Sequence, residues 1–157
     1  MKYDAIVVLL CPLAVAMPAL ATPADDAMAH SKAFERAVNA RDAQAVLALY
    51  APDAYVVWPG QGEEAHGKAA IEHLVSDFIK QLPKDAKVAL KSQSAIPLRG
   101  GYVATVGQWS ESFTDADGKA QTVEIRTTEL IKKDKGKTLY VVDHASIGLP
   151  PAPPPAQ

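Results

Sequence analysis

The chain has 157 residues, 48% of them apolar and 22% charged, with a formal net charge of −2. That is room for one domain around one core, and too little for two domains of ordinary size. Charges of both signs are interspersed, so there is no basic stripe to meet a phosphate backbone and no acidic block to form a solvated tail; a nucleic-acid partner is not expected.

The N-terminus reads as an export signal. Lys2 makes a short positive start, offset by Asp4, and Ala5 to Met17 is apolar apart from Pro12. Ala19-Leu20-Ala21 fits the small-x-small pattern of a cleavage site, which predicts a signal peptide over residues 1–21 with Thr22 as the new N-terminus. A permanent anchor needs about twenty unbroken apolar residues. Pro12 and Pro18 interrupt this run, so no stable membrane anchor is expected after cleavage. The competing reading, a core helix, fits less well because the run ends in small residues and Pro rather than a polar face. Cys11 is the only cysteine and lies inside this segment, with Leu10 before it instead of the small residue that lipidation requires. The mature chain would then have no thiol, which excludes Cys nucleophiles, Cys-ligated zinc and disulfides. Its expected location is the periplasm or the medium.

From Ala24 to Asn39 the pattern is helical, with Ala27, Phe34, Ala37 and Val38 on one stripe. Asp42 is a cap for a second short helix, Ala43 to Tyr50, closed by Pro52. Ala54 to Trp58 reads as a strand and Pro59-Gly60-Gln61-Gly62 as a loop. A third helix runs from Lys68 to Gln81 behind Gly67, with Ile71, Leu74, Val75, Phe78 and Ile79 as its buried face. Four extended stretches follow: Ala86 to Ile96, Tyr102 to Phe113, Thr122 to Lys132 and Leu139 to Ile147. They are separated by Gly100-Gly101, the hairpin signal Asp115-Ala116-Asp117-Gly118, and Asp134-Lys135-Gly136. Helices first and a meander afterwards predict an α+β domain over residues 22–148. Residues 149–157 are a Pro-rich tail of polyproline character, expected to be extended and solvated.

Four segments carry a family resemblance. AVNARDAQAVLALYAPDAYVVWPG resembles a helix–Asn-x-x-Asp–helix–Tyr-x-x-Asp-Ala–strand opening, and HGKAAIEHLV a Gly-led third helix. VEIRTTELIKKDKGK is similar to a sheet strand with its turn, and VVDHAS to a closing strand. In this order and spacing, from Ser31 to Ser146, they resemble the SnoaL-like branch of the nuclear transport factor 2-like superfamily. The resemblance implies a cone: a strongly curved antiparallel sheet with three N-terminal helices packed on its concave face and a pocket at the open end. It also implies homodimers formed sheet to sheet. One departure is the absence of the Trp that the family carries near Thr138 to Tyr140. The superfamily holds isomerases, cyclases, dehydratases, transport factors and oligomerisation modules, so the fold alone does not set the function.

The candidate site residues follow from that picture. His144 lies on the closing strand, where the family turns side chains toward the pocket, and could act there as an acid–base group. Its other reading is a buried histidine tying sheet to helix. Asp143 falls on the opposite face by alternation and reads as a surface or dimer-face carboxylate. Arg126 and Thr128 share a face with Leu130, which looks like core; a guanidinium there would serve as an anion clamp. Otherwise Arg126 pairs with Glu111 or Glu124 outside. Tyr50, Tyr55, Trp58 and Trp109 would line an apolar ligand cavity. His30, His66 and His73 are scattered, with His73 exposed. Glu63, Glu64 and His66 match no standard metal spacing. No P-loop, GxGxxG or Ser-His-Asp pattern is present, so no cofactor or metal is expected. Three readings stay open: a binding module for a small, partly apolar molecule, an isomerase, cyclase or dehydratase using His144, and a structural dimerisation domain.

Overall fold

The computed structural model describes residues 21–59 and 64–148. The predicted signal peptide, apart from Ala21, and the Pro-rich tail lie outside the described residues. Helix α1 spans Pro23–Asn39. Thr22 caps it reciprocally with Asp25: the Thr22 side chain accepts from the Asp25 amide, and the Asp25 carboxylate accepts from the Thr22 amide. Helix α2 (Ala43–Leu47) is capped by Asp42, whose carboxylate accepts from the Ala45 amide. It ends at Leu47 because Tyr50 already belongs to the sheet. Helix α3 spans Gly67–Gln81 and buries Ile71 and Val75. None of these helices is long and apolar enough to cross a membrane.

Six strands form one sheet: β1 (Tyr50–Val57), β2 (Glu64–His66), β3 (Lys87–Pro97), β4 (Tyr102–Thr114), β5 (Ala120–Asp134) and β6 (Lys137–Ile147). Their order is β2-β1-β6-β5-β4-β3. The sheet is mixed, not wholly antiparallel, because β1 pairs with β6 in parallel while every other pair is antiparallel. The strand expected over Ala54 to Trp58 starts four residues earlier, and β2 was not expected at all; three residues ahead of a helix leave too short a pattern to read. The β4–β5 hairpin turns on Asp115, whose carboxylate accepts from the amides of Asp117 and Lys119. Gly118, at φ +78°, completes that turn.

The helices pack on the concave face of the sheet, and the core between them is built from Val38, Val46, Val56, Ile71, Val75, Ile131 and Tyr140, all essentially inaccessible. On β5 the alternation puts Ile125, Thr127, Glu129 and Ile131 inward and Arg126, Thr128 and Leu130 outward. On β6 the alternation breaks once. Leu130 pairs with Val142 and Ile131 with Tyr140, so Val141 is a bulge. Tyr140 and Asp143, three residues apart, therefore both face inward, and His144 faces out.

Candidate functional site

A cavity of about 320 Å³ opens between the inner faces of β4, β5 and β6 and the facing sides of α1 and α3. It sits at the lower end of the roughly 300–1,000 Å³ typical of small-molecule sites. Its walls are largely aromatic: Phe34 from α1, Phe78 from α3, Trp58 after β1, and Trp109 and Phe113 on β4. Phe34 meets the rings of Trp58, Trp109 and Tyr140 edge to face, with centroids 5.7–6.2 Å apart. Among the described residues, three acidic side chains also line it, Glu111, Glu129 and Asp143, and no Lys, Arg or His does.

Glu129 and Asp143 are directly opposite each other on β5 and β6. Antiparallel neighbours in register hold their Cβ atoms about 4.5–5.5 Å apart, where like charges repel. Both residues are 4% exposed. Each carboxyl group has one oxygen held. Tyr50 donates its hydroxyl to Asp143 Oδ2 at 2.6 Å, and the Trp58 indole N–H donates to the same oxygen at 2.8 Å. Thr105 donates to Glu129 Oε2, and Gln93 approaches that oxygen at 3.5 Å. Behind Gln93 the contacts continue to Ser31 (2.7 Å) and from there to the Tyr140 hydroxyl (3.5 Å). The second oxygens, Asp143 Oδ1 and Glu129 Oε1, meet no donor among the described residues, yet neither is sealed in the core.

Burial governs the protonation of the pair. It raises Glu129 to about 7, the nearby Asp143 charge adds to this, and the hydroxyls of Thr105 and Thr127 pull the other way. The Thr127 hydroxyl weighs on Glu129 without making a well-formed hydrogen bond. Asp143 is raised by burial too, opposed by the Tyr50 and Trp58 hydrogen bonds and by His144 across the strand. The groups share their titration, so the proton belongs to the pair before it belongs to either residue. Burial also raises the Tyr50 and Tyr140 hydroxyls well above the ordinary value, which keeps both protonated and able to donate. His30, packed edge-on against the Tyr140 ring at 4.3 Å, is lowered to about 4 by burial and is neutral at pH 7.

Several sequence-based expectations need correction. His144 is exposed on the outer face, because the bulge at Val141 shifts the alternation by one residue. It cannot serve as a pocket acid–base group. Asp143 does lie opposite His144, but it faces inward instead of out. Arg126 and Thr128 are exposed on the outer face of β5, so the guanidinium has no route to the pocket and no clamp forms. No ion pair of Arg126 with Glu111 or Glu124 is present either; Glu111 faces into the cavity. Tyr55 is 43% exposed and stacks on His66 at 3.9 Å on the outside. Tyr50 is buried behind Asp143 and holds that carboxylate instead of lining the cavity. Trp58 and Trp109 do line it. His73 is exposed beside Asp77, and His30 is buried against Tyr140. Among the described residues no group of three or more His, Cys, Asp or Glu side chains is gathered as a metal set. Glu129 is a pocket residue absent from the sequence-based candidates, with its signal in parity: Val123, Ile125 and Ile131 alternate, and Glu129 shares their face.

Solved structures with this fold are numerous. A Xanthomonas campestris protein assigned as a calcium/calmodulin-dependent protein kinase II association domain superposes with TM-score 0.71 at 24% identity, covering 88% of this chain and 95% of its own. A hexachlorocyclohexane dehydrochlorinase does so at 0.68 and 12% identity, over 83% and 93% of the two chains. A ketosteroid isomerase-like protein from Erwinia carotovora atroseptica gives 0.62 at 20% identity, over 78% and 94%. These likenesses show the fold alone. A 73-residue stretch is 38% identical to part of UvrABC system protein A of Helicobacter pylori, but it is 46% of this chain and spans only 7% of that protein. Residues 31–141, from the middle of α1 through the bulge that turns Asp143 inward, match the SnoaL-like domain, and the chain belongs to that family.

Proposed function

We propose that the pocket binds a small, largely apolar molecule and moves a proton on it, with Glu129 and Asp143 as the acid–base pair. The observation that carries this reading is the pair itself: two facing carboxyl groups, each with one oxygen held and the other open to an aromatic cavity. Two hydrogen bonds on Asp143 favour its ionised form, so the shared proton rests mainly on Glu129. With Glu129 near 7, both protonation states are populated at neutral pH, which is what general acid–base catalysis needs. In such a step the ionised carboxylate takes a proton from the bound molecule, and the neutral carboxylic acid returns one elsewhere. That chemistry serves an isomerase or a lyase, and the names of the isomerase-like and dehydrochlorinase neighbours are in keeping with it. The test is incorporation of solvent deuterium at carbon into a library of small apolar ketones, amino ketones included, followed by NMR. Exchange into a compound that is lost in E129Q and D143N and kept in H144A supports the reading. Exchange that survives both carboxyl substitutions, or no exchange into any compound, counts against it.

A second observation supports a homodimer formed through the outer face. Ile96, Ala104, Leu130, Val142 and Tyr55 stand in one cross-strand row there. Ile96, Val142, Tyr55 and the neighbouring Val106 are between 37% and 54% exposed. A contiguous apolar row in water marks an interaction surface, and a second copy offers the same row in return. Sedimentation should give a dimer that V106E converts to a monomer; a wild-type monomer would end this idea. We also infer export with removal of residues 1–21. N-terminal sequencing of protein recovered outside the cytoplasm should begin at Thr22, and a retained Met1 would refute it.

A further inference from the structure

The pocket's polar groups are one-sided. Among the described residues, three carboxyl side chains line it and no basic side chain does. Glu111 sits on the inner face of β4, opposite Val123 and half-buried, with no hydrogen bond or ion pair among the described residues. Burial pushes it up, opposed only by the charge of Arg41. That guanidinium is turned away, toward the carbonyls of Pro83, Lys84 and Ala86. Deeper in, Glu129 Oε1 and Asp143 Oδ1 have no partner among the described residues, on side chains 96% removed from solvent. Trp109 Nε1 and Thr127 Oγ1 are unpartnered as well, but they are sealed within the wall and out of a ligand's reach. What the cavity offers an occupant is therefore acceptors, negative charge and aromatic ring faces. An anion entering would meet three carboxyl groups and no basic side chain in the described lining, with only the Arg41 charge acting on Glu111 from outside it, a heavy electrostatic cost in a water-poor site. A protonated amine donates to the open oxygens, and the rings of Trp58 and Trp109 attract a cation.

Resting on the ligand-pocket reading above, we propose that the occupant is a cation: an apolar skeleton bearing a protonated amine, selected by Glu111 at the wall and received by the Glu129–Asp143 pair. Glu111 is then a specificity residue, separate from the acid–base pair. A cation placed beside the pair also favours the ionised form of Glu129, so amine binding releases a proton at pH below about 7 and tightens as pH rises toward it.

Both tryptophans of the chain line the cavity, so intrinsic fluorescence reports occupancy directly. The test is titration with three isosteric probes: cyclohexylmethylamine, cyclohexylmethanol and cyclohexanecarboxylate. The amine should bind about tenfold tighter than the alcohol, one charge interaction's worth, with no saturable signal from the carboxylate. In E111Q the amine-to-alcohol ratio should fall about threefold or more. Because the ratio is read within each variant, a general loss of folding does not mimic it. Binding of the alcohol as tightly as the amine, or any preference for the carboxylate, overturns the charge assignment and leaves the pocket reading standing. Silence from all three probes overturns both.

Discussion

The two faces of one sheet carry opposite chemistry on adjacent rows of residues. The inner row runs Ala95, Thr105, Glu129, Asp143, Val56, Ala65, in register across all six strands. The outer row next to it runs Ile96, Ala104, Leu130, Val142, Tyr55, His66. The row that faces the core side holds the two carboxyl groups, and the row that faces water is apolar or aromatic throughout. This inverts the ordinary arrangement, in which the solvated face of an antiparallel sheet is the polar one. Each inversion signals use. Buried carboxyl groups cost stability even when partly hydrogen-bonded, and an apolar row left in water invites a partner. On the proposed reading, chemistry and association are separated by one residue of parity.

The largest expected effect breaks this contrast on its inner side. E129Q should lower the rate of any proton transfer the pocket performs by about 10²–10⁴-fold, while R126A and H144A on the outer face leave it essentially unchanged. Steady-state kinetics on the first exchanging compound would check this. Next comes D143A, which strips the acceptor from two donors, Tyr50 Oη and Trp58 Nε1, and should cost about 3 kcal/mol in urea denaturation. D143N should cost much less, since its amide oxygen still accepts from both.

A comparable effect depends on pH. Glu129 rests at about 7 in the folded chain against an ordinary 4.5, so the folded state holds a proton that the unfolded state releases. Its contribution to stability is full below 4.5 and lost as pH rises through 7. E129Q removes that loss, so it should be roughly 3 kcal/mol more stable than wild type at pH 8.5 and nearly equal to it at pH 4.5. His30 slopes the other way: lowered to about 4 from 6.5, it costs stability as pH falls below 6.5. The two slopes offset in the wild type, and E129Q should expose the histidine's.

A smaller effect concerns packing. A Cβ on Gly107 would lie 2.6 Å from Thr127 Oγ1 and 3.1 Å from Trp109 Nε1. G107A should therefore cost about 1–3 kcal/mol by overpacking the pocket wall. On the outer face, R126A and H144A should each shift monomer stability by less than about 0.5 kcal/mol.

Much of the fold could be read from the amino-acid order. The cap Asp42, the Gly67 that opens α3, the hairpin signal at Asp115 to Gly118 and the apolar stripe of α1 each act locally, and local patterns survive in a sequence. The site was read poorly because its geometry hangs on parity. On β6, counting outward from buried Tyr140 by twos leads to Val142 and His144; the bulge at Val141, invisible in the residue pattern, diverts the inward face to Asp143. On β5 no bulge intervenes, and the error came from taking Leu130 as core. Leu130 belongs to the apolar outer row, so hydrophobicity pointed to the wrong face. The parallel pairing of β1 with β6 was likewise hidden, because it joins segments about ninety residues apart that no turn connects.

The most direct measurement is a carbon-detected NMR titration of the side-chain carboxyl groups, with E129Q and D143N used to assign the two buried signals. Glu129 should titrate near 7, and its midpoint should drop when D143N removes the neighbouring charge. A Glu129 midpoint in the ordinary range near 4.5, unmoved by D143N, would contradict a coupled carboxyl pair facing the pocket.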